Sequence, residues 1–170
     1  ADVRTIDDLN LPVPTLAGGK AETIVVEPSH ALVDYVADLA SRAEAIRNRV
    51  VDPSEDNMLK VTGDGRRAAL DLRLVGEDSP VDGGKLTVAA QRIAAIHHAT
   101  RDLRYADENG QLTLRPGALQ LVFCDVSTPA AAGWNAYGEL RALLVRRGID
   151  PASIRYMQEA QTDVAKAKLF

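Results

Sequence analysis

Apolar residues follow two different rhythms along this chain. In the first third, Leu32, Val36, Leu39, Ala43 and Ile46 recur at alternating steps of four and three. That spacing puts them in one stripe on a helix. Pro28-Ser29 opens this helix and Val51-Asp52-Pro53 closes it, and Asp38 and Arg42 lie one turn apart, placed to pair. Beyond it, Asp56-Asn57 leads into a short helical piece with Met58 and Leu59. Thr62-Gly63-Asp64-Gly65 reads as a turn, and residues 66–74 read as a second piece with Leu70 and Leu74 on one face. Leu86 opens a longer helix whose expected buried stripe is Ala89, Ile93, Ile96, Thr100 and Leu103. Asp107-Glu108-Asn109-Gly110 is a strong turn signal.

The second rhythm is a short, nearly unbroken apolar run over residues 119–124, Leu-Gln-Leu-Val-Phe-Cys, bounded by Pro116-Gly117 and by Asp125-Val126-Ser127-Thr128-Pro129. A run with so little polar alternation predicts a strand buried on both faces of a parallel sheet. A helix is expected over 133–147, with Tyr137, Leu140 and Leu144 on one face and Gly148 as its left-handed stop. Asp150-Pro151 makes a turn, residues 154–157 suggest a second strand, and Thr162 caps a final helix. The right-handed crossover rule would make the two strands parallel. At the other end, Pro12, Pro14 and Gly18-Gly19 break any element before a β-prone run at 23–26. The expected class is therefore α/β. It divides into an irregular arm with a short strand (1–27), a helical segment (28–106) and a βαβα half lobe with a parallel sheet (116–170).

Composition narrows the picture modestly. The length of 170 residues suits one domain with a sizeable core. A formal net charge of −4 gives no bulk attraction to nucleic acid, so any such contact must come from a local patch. The single cysteine, Cys124, rules out an internal disulfide and fits a cytoplasmic setting. There is no apolar run of membrane length and no signal peptide pattern. The chain starts at Ala1 without an initiator Met and stops within a helical pattern, so it is expected to be a piece of a longer protein.

The candidate chemistry is sparse. Gly19-Lys20 and Gly84-Lys85 invite a phosphate-loop reading, but neither has the upstream Gly or the following Ser/Thr that the loop needs. His97 and His98 are neighbours on a helix and point about 100° apart, which prevents joint chelation. Cys124, inside the expected strand, reads as a small apolar core residue. Asp125, Ser127 and Thr128 sit at the carboxyl end of that strand, where α/β sheets bind ligands. Their hydroxyls suit phosphate oxygens, and equally suit a cap on the next helix. Trp134 at the helix entrance reads as a packing residue, with stacking on a base or ribose as the alternative. Lys60, Arg66, Arg67 and Arg73 cluster around the 63–65 turn. Arg66 and Arg67, with Lys85, are the basic candidates for contacting a DNA backbone.

Taken in order, these motifs resemble the second motor lobe of superfamily-two helicases of the Swi/Snf-like type. The resemblance rests on Leu121-Val122-Phe123-Cys124 with Ser127-Thr128, on Leu144-Val-Arg-Arg-Gly148-Ile149, and on Lys166-Ala-Lys-Leu169-Phe170. Asp2-Val3, Leu11-Pro12, Lys20, Ser29, Tyr35 and Gly84-Lys85-Leu86 extend it toward the amino end. It is closer still to bacterial and plasmid-borne proteins that join a helicase to a DNA methylase. The resemblance implies a RecA-like half lobe within an ATP-dependent DNA helicase or translocase. The 125–128 loop would contact the DNA backbone. ATP and Mg²⁺ would be bound by the parent protein and no cofactor by this piece. The partners would be DNA, the first motor lobe and the rest of the second. The family's Gly-rich loop and its Gln-x-x-Gly-Arg-x-x-Arg helix do not occur in these residues, so the piece alone is not expected to hydrolyse ATP. Two alternatives stand beside this: a small α/β enzyme with its site at 125–128, and a helical protein-interaction module. An unpaired sheet edge could also pair with a second copy in solution or in a crystal.

Overall fold

The computed structural model describes residues 16, 18–78, 83–106, 109–129, 133–167 and 169. Among the described residues five α-helices carry the architecture: α1 (His30–Arg47), α2 (Met58–Leu70), α3 (Lys85–Thr100), α4 (Ala136–Arg146) and α5 (Asp163–Ala167). Single 3₁₀ turns occupy Leu72–Val75, Pro151–Ser153 and Met157–Glu159. The first half of the expected 107–110 turn lies outside the described residues, as do Asp2-Val3 and Leu11-Pro12.

The α/β expectation is overturned. Among the described residues there is no sheet, and the one strand-like pairing is an isolated antiparallel bridge between Ala106 and Leu112. Residues 119–124 form neither helix nor strand. Leu119 is 65% exposed, Leu121 59%, Val122 49% and Phe123 87%, the opposite of a strand covered on both faces. A central strand needs a ladder partner on each edge. The expected neighbour at 154–157 does not supply one, because its polar groups are satisfied locally. The Arg141 guanidinium donates to the carbonyls of Ile154 (3.1 Å) and Pro151 (3.1 Å), and the Tyr156 N–H donates to Glu159 Oε1 (3.1 Å). The run at 23–26 is likewise outside any strand. With no RecA-like parallel sheet, the half lobe of the sequence reading is absent, and a small α/β enzyme loses its scaffold. Cys124 is half-buried rather than a core thiol.

The helices follow their caps. Ser29 Oγ accepts the Leu32 N–H (3.2 Å) and starts α1 where Pro28-Ser29 predicts it. Asn57 Oδ1 accepts the N–H groups of Leu59 and Lys60 (3.1 Å each) and starts α2. The expected break at 62–65 does not occur, since Gly63 and Gly65 lie inside the continuous helix α2. Tertiary contact overrides their weak helix propensity. Leu39, the buried residue of α1, lies over Gly65, where an added methyl would meet Leu39 Cδ1 at 3.5 Å. The expected stripe of α1 is the covered face except at Val36: Leu39 is buried, Leu32, Ala43 and Ile46 are half-buried, Val36 is 53% exposed, and Tyr35 and Arg42 are half-buried beside them. Arg42 does not pair with Asp38; it reaches Asp56 and Asp64 instead. Gly148 stops α4 as expected, in the left-handed region at φ +83°.

The main core lies between α3 and α4. Leu86, Ala90 and Ala94 of α3 join Ala136, Leu143 and Leu144 of α4 and Ile149 just beyond it. Ala90 is fully buried. This face of α3 is rotated from the expected stripe, with Ile96 38% and Leu103 51% exposed. Small side chains on α3 let α4 come close, which a bulky Ile stripe would prevent. Leu70, Ile93, Trp134, Leu140 and Ile154 pack around this centre. Leu70 belongs to α2, so it joins the α1–α2 pair to the core.

Because Gly65 is helical and the space beside it admits a methyl, Gly65→Ala should stabilise the fold by about 0.5–1 kcal/mol. Urea denaturation measures this. A loss of stability would mean that residues 62–65 turn rather than continue the helix.

Candidate nucleic-acid interface

The sequence-nominated residues do not all meet, but three of them do. An open recess of about 210 Å³ is lined by Gly63, Arg66 and Arg67 from α2 and by Asp125 and Val126 from the turn before α4. These two stretches are far apart in sequence. A larger hollow of about 440 Å³ lies at the end of α1, lined by Ile46, Arg49, Val50, Val51, Asp52 and Pro53. It contains none of the nominated residues.

Each wall of the recess has a clear origin. On the α2 side, Arg42 acts as a bolt from α1. Its guanidinium donates to both oxygens of Asp56 (2.7 and 2.9 Å) and to Asp64 (2.9 Å). Asp64 also accepts from Arg67 Nη2 at 2.5 Å, across one helical turn. The hydrogen bond from Arg42 holds the Asp56 carboxyl below its ordinary range. Burial pushes Asp64 upward, but Arg42 and Arg67 outweigh it and the net displacement is downward. Arg42 itself is held further toward its charged form by the two carboxylates. Arg67 is therefore oriented by Asp64, whereas the exposed Arg66 has no partner among the described residues.

On the other side, two tyrosines position the turn. Tyr137 Oη donates to the carbonyl of Cys124 (3.1 Å), and Tyr156 Oη donates to the carbonyl of Tyr137 (3.2 Å). Their rings meet edge-on with centroids 5.7 Å apart. Ser127 Oγ accepts the N–H of Ala136 (3.2 Å), the first residue of α4, and Asn135 Oδ1 accepts that of Gly138 (2.8 Å). Ser127 thus caps the helix, the plainer of its two expected roles. Asp125 and Thr128 are exposed.

The remaining basic candidates are dispersed. Lys85 is exposed at the start of α3 and does not line the recess. Lys60 Nζ donates to the carbonyls of Ser54 (3.2 Å) and Glu55 (2.7 Å). Arg73 binds Asp71 (2.8 Å), lies 3.6 Å from Glu139, and stacks over the Trp134 ring at 4.1 Å from its centroid. Trp134 Nε1 donates to Glu139 Oε2 (3.3 Å), so Trp134 packs as expected and is tied to α4. The partners of Arg42 and Arg73 were not legible in sequence, because an acid scattered along a chain does not announce which arginine it will face. His98 Nε2 lies 2.9 Å from the Arg147 carbonyl oxygen. Among the described residues no cluster of His, Cys, Asp or Glu is arranged to hold a metal ion, and no helix is long and apolar enough to cross a membrane.

Comparison with family models, curated proteins and solved structures gives no match.

The carboxylates around Arg42 set a pH dependence. Asp56 and Asp64 are held below their unfolded values, so their contribution is full above the unfolded carboxylate range and is lost as pH falls through the lower folded values. Stability should therefore decline below about pH 4. Arg42→Ala should lower the denaturation midpoint at pH 7 and flatten that acid limb. An unchanged acid limb in Arg42→Ala would show that the bolt does not hold α1 to α2.

Proposed function

We propose that this chain is part of an ATP-dependent DNA helicase or translocase, working in the cytoplasm, and that it contributes a grip on the sugar-phosphate backbone. The observation that carries this reading is the recess where Arg66 and Arg67 of α2 meet the turn at Asp125 and Val126. The order of short motifs along the chain supports it as well. The reading does not draw on a parallel sheet.

The chemistry of such a grip follows from the groups present. A phosphate oxygen suits a guanidinium, which offers paired N–H donors in a planar fork. Arg66 is the uncommitted donor, exposed and without an internal partner among the described residues. Arg67 is pre-oriented by Asp64, which lowers the entropy lost on binding but cancels part of its charge. The Thr128 hydroxyl is exposed on the neighbouring turn and can add a neutral hydrogen bond. Asp125 opposes an anion, so the grip is weak and readily released, which suits a motor that must let go at each step. ATP and Mg²⁺ would act in other parts of the parent protein, and coupling to the first motor lobe would move this grip along the strand. A methylase region in the parent stays part of the same proposal.

A second reading, a helical module that docks another protein, is favoured by the exposed apolar stretch at 119–123.

Fluorescence anisotropy with a short single-stranded DNA tests the grip. Binding should weaken as salt rises, and Arg66→Ala should reduce the slope of log K against log salt by about one. Asp125→Asn should tighten binding severalfold, by removing a repelling charge. Absence of binding at about 50 mM salt would sink the proposal.

A further inference from the structure

Asn-Gly occurs once in this chain, at Asn109-Gly110. The pair lies between Ala106 and Leu112, which meet in an antiparallel bridge. Bonds beside the bridge fasten the base of this excursion. The Thr113 N–H donates to the Tyr105 carbonyl (2.7 Å), and the Arg104 guanidinium donates to the carbonyls of Thr113 (2.8 Å) and Leu114 (2.9 Å). Asn109 and Gly110 are both exposed. Gly110 is in the left-handed region at φ +77°, and among the described residues no atom beyond its chain neighbours lies within 4 Å of where a Cβ would stand. A carboxamide is thus followed by a backbone nitrogen that no side chain shields.

We propose that Asn109 is a modification site at which the chain converts its own carboxamide to aspartate and isoaspartate. The Gly110 nitrogen attacks Asn109 Cγ. The N–Cγ bond forms, the Cγ–Nδ2 bond breaks, and Nδ2 leaves as ammonia with the proton that Gly110 gave up. One water then opens the five-membered imide. Opening at Cγ gives aspartate, and opening at the backbone carbonyl gives isoaspartate. The other asparagines of the described residues are restrained. The Arg49 N–H beside Asn48 is bound to the Ile46 carbonyl (3.0 Å), and the Ala136 N–H beside Asn135 is bound to Ser127 Oγ (3.2 Å). The Asn57 amide caps α2 and donates to the Pro53 carbonyl (3.1 Å). Asp64-Gly65 also places a glycine after a side-chain carbonyl carbon, but both residues lie within α2, and Asp64 is bound by Arg42 and Arg67. Ring closure there needs a rotation about the Asp64 Cα–C bond that the helix forbids. Either product at Asn109 lowers the formal net charge of −4 by one, and isoaspartate adds one carbon to the backbone of the turn. The site goes beyond the DNA grip and does not depend on it.

Peptide mapping by mass spectrometry tests this on the folded protein, held for a week at mildly alkaline pH and body temperature and compared with an unincubated sample. The peptide containing Asn109 should gain one mass unit in more than half of the molecules and split into two chromatographic forms. The peptides containing Asn48, Asn57 and Asn135 should keep their masses. Conversion should slow severalfold at mildly acidic pH, where less of the Gly110 amide loses its proton. Asn109→Gln should abolish the mass shift, because its imide would need a six-membered ring. Asp64 should stay aspartate in the folded chain and isomerise once the chain is unfolded in urea. Circular dichroism confirms that the incubated protein and the variant are folded. An intact Asn109 after the week, or conversion no faster there than at the other three asparagines, overturns the proposal.

Discussion

The structure depends on how closely α3 and α4 can approach. Ala90 is wholly buried at their seam, with Ala94 and Ala136 beside it, and Leu86, Leu143, Leu144 and Ile149 complete the core. A seam of alanines yields little hydrophobic free energy per residue, but it allows close backbone approach and tight dispersion contact around it. Everything near the recess is hung from this seam. Leu70 attaches α2 to it from below, and Arg73 ties the 3₁₀ turn after α2 to Trp134 and Glu139 at the start of α4. Ser127 and Tyr137 then fix the 124–127 turn to the same end of α4. The recess exists because two stretches distant in sequence are fastened to one helix terminus.

Electrostatics decides which cations are free to act. The chain carries 20 Lys and Arg against 24 Asp and Glu, so arginines readily find internal acids. Arg42 binds Asp56 and Asp64, Arg67 shares Asp64, and Arg73 takes Asp71. These pairs are partly exposed, and each is modest in stability. Their larger effect is to set position and availability. Once they are made, Arg66 is the recess cation that remains unspent, and a basic cluster in the sequence becomes one donor beside one oriented neighbour.

The apolar run at 119–124 shows how burial differs from hydrophobicity. Apart from Gln120 its side chains are as apolar as those of a core strand, yet Phe123 is 87% exposed. Burial requires a second surface, and a strand also requires partners for its own N–H and C=O groups. The described residues offer no ladder. The same stretch is thus a poor core element of a lone chain.

Local signals set much of what this chain does. Ser29 began α1, Thr162 and Gly148 marked the edges of later helices, and the long helix near Leu86 appeared within a residue or two of its expected start. These features depend on a residue and its immediate neighbours, so they can be read directly. Arg66, Arg67 and Asp125 were each visible as chemistry, but their meeting was not. Helix faces were set by what packs on them: Leu39 over Gly65 joined two expected pieces into α2, and the alanine face of α3 displaced the isoleucine one. Whether residues 119–124 would be covered, and which acid each arginine would find, are long-range outcomes. They depend on which surfaces the helices bring together, and only the tertiary structure decided them, because sequence spacing carries no information about a partner that is near only once the chain has folded.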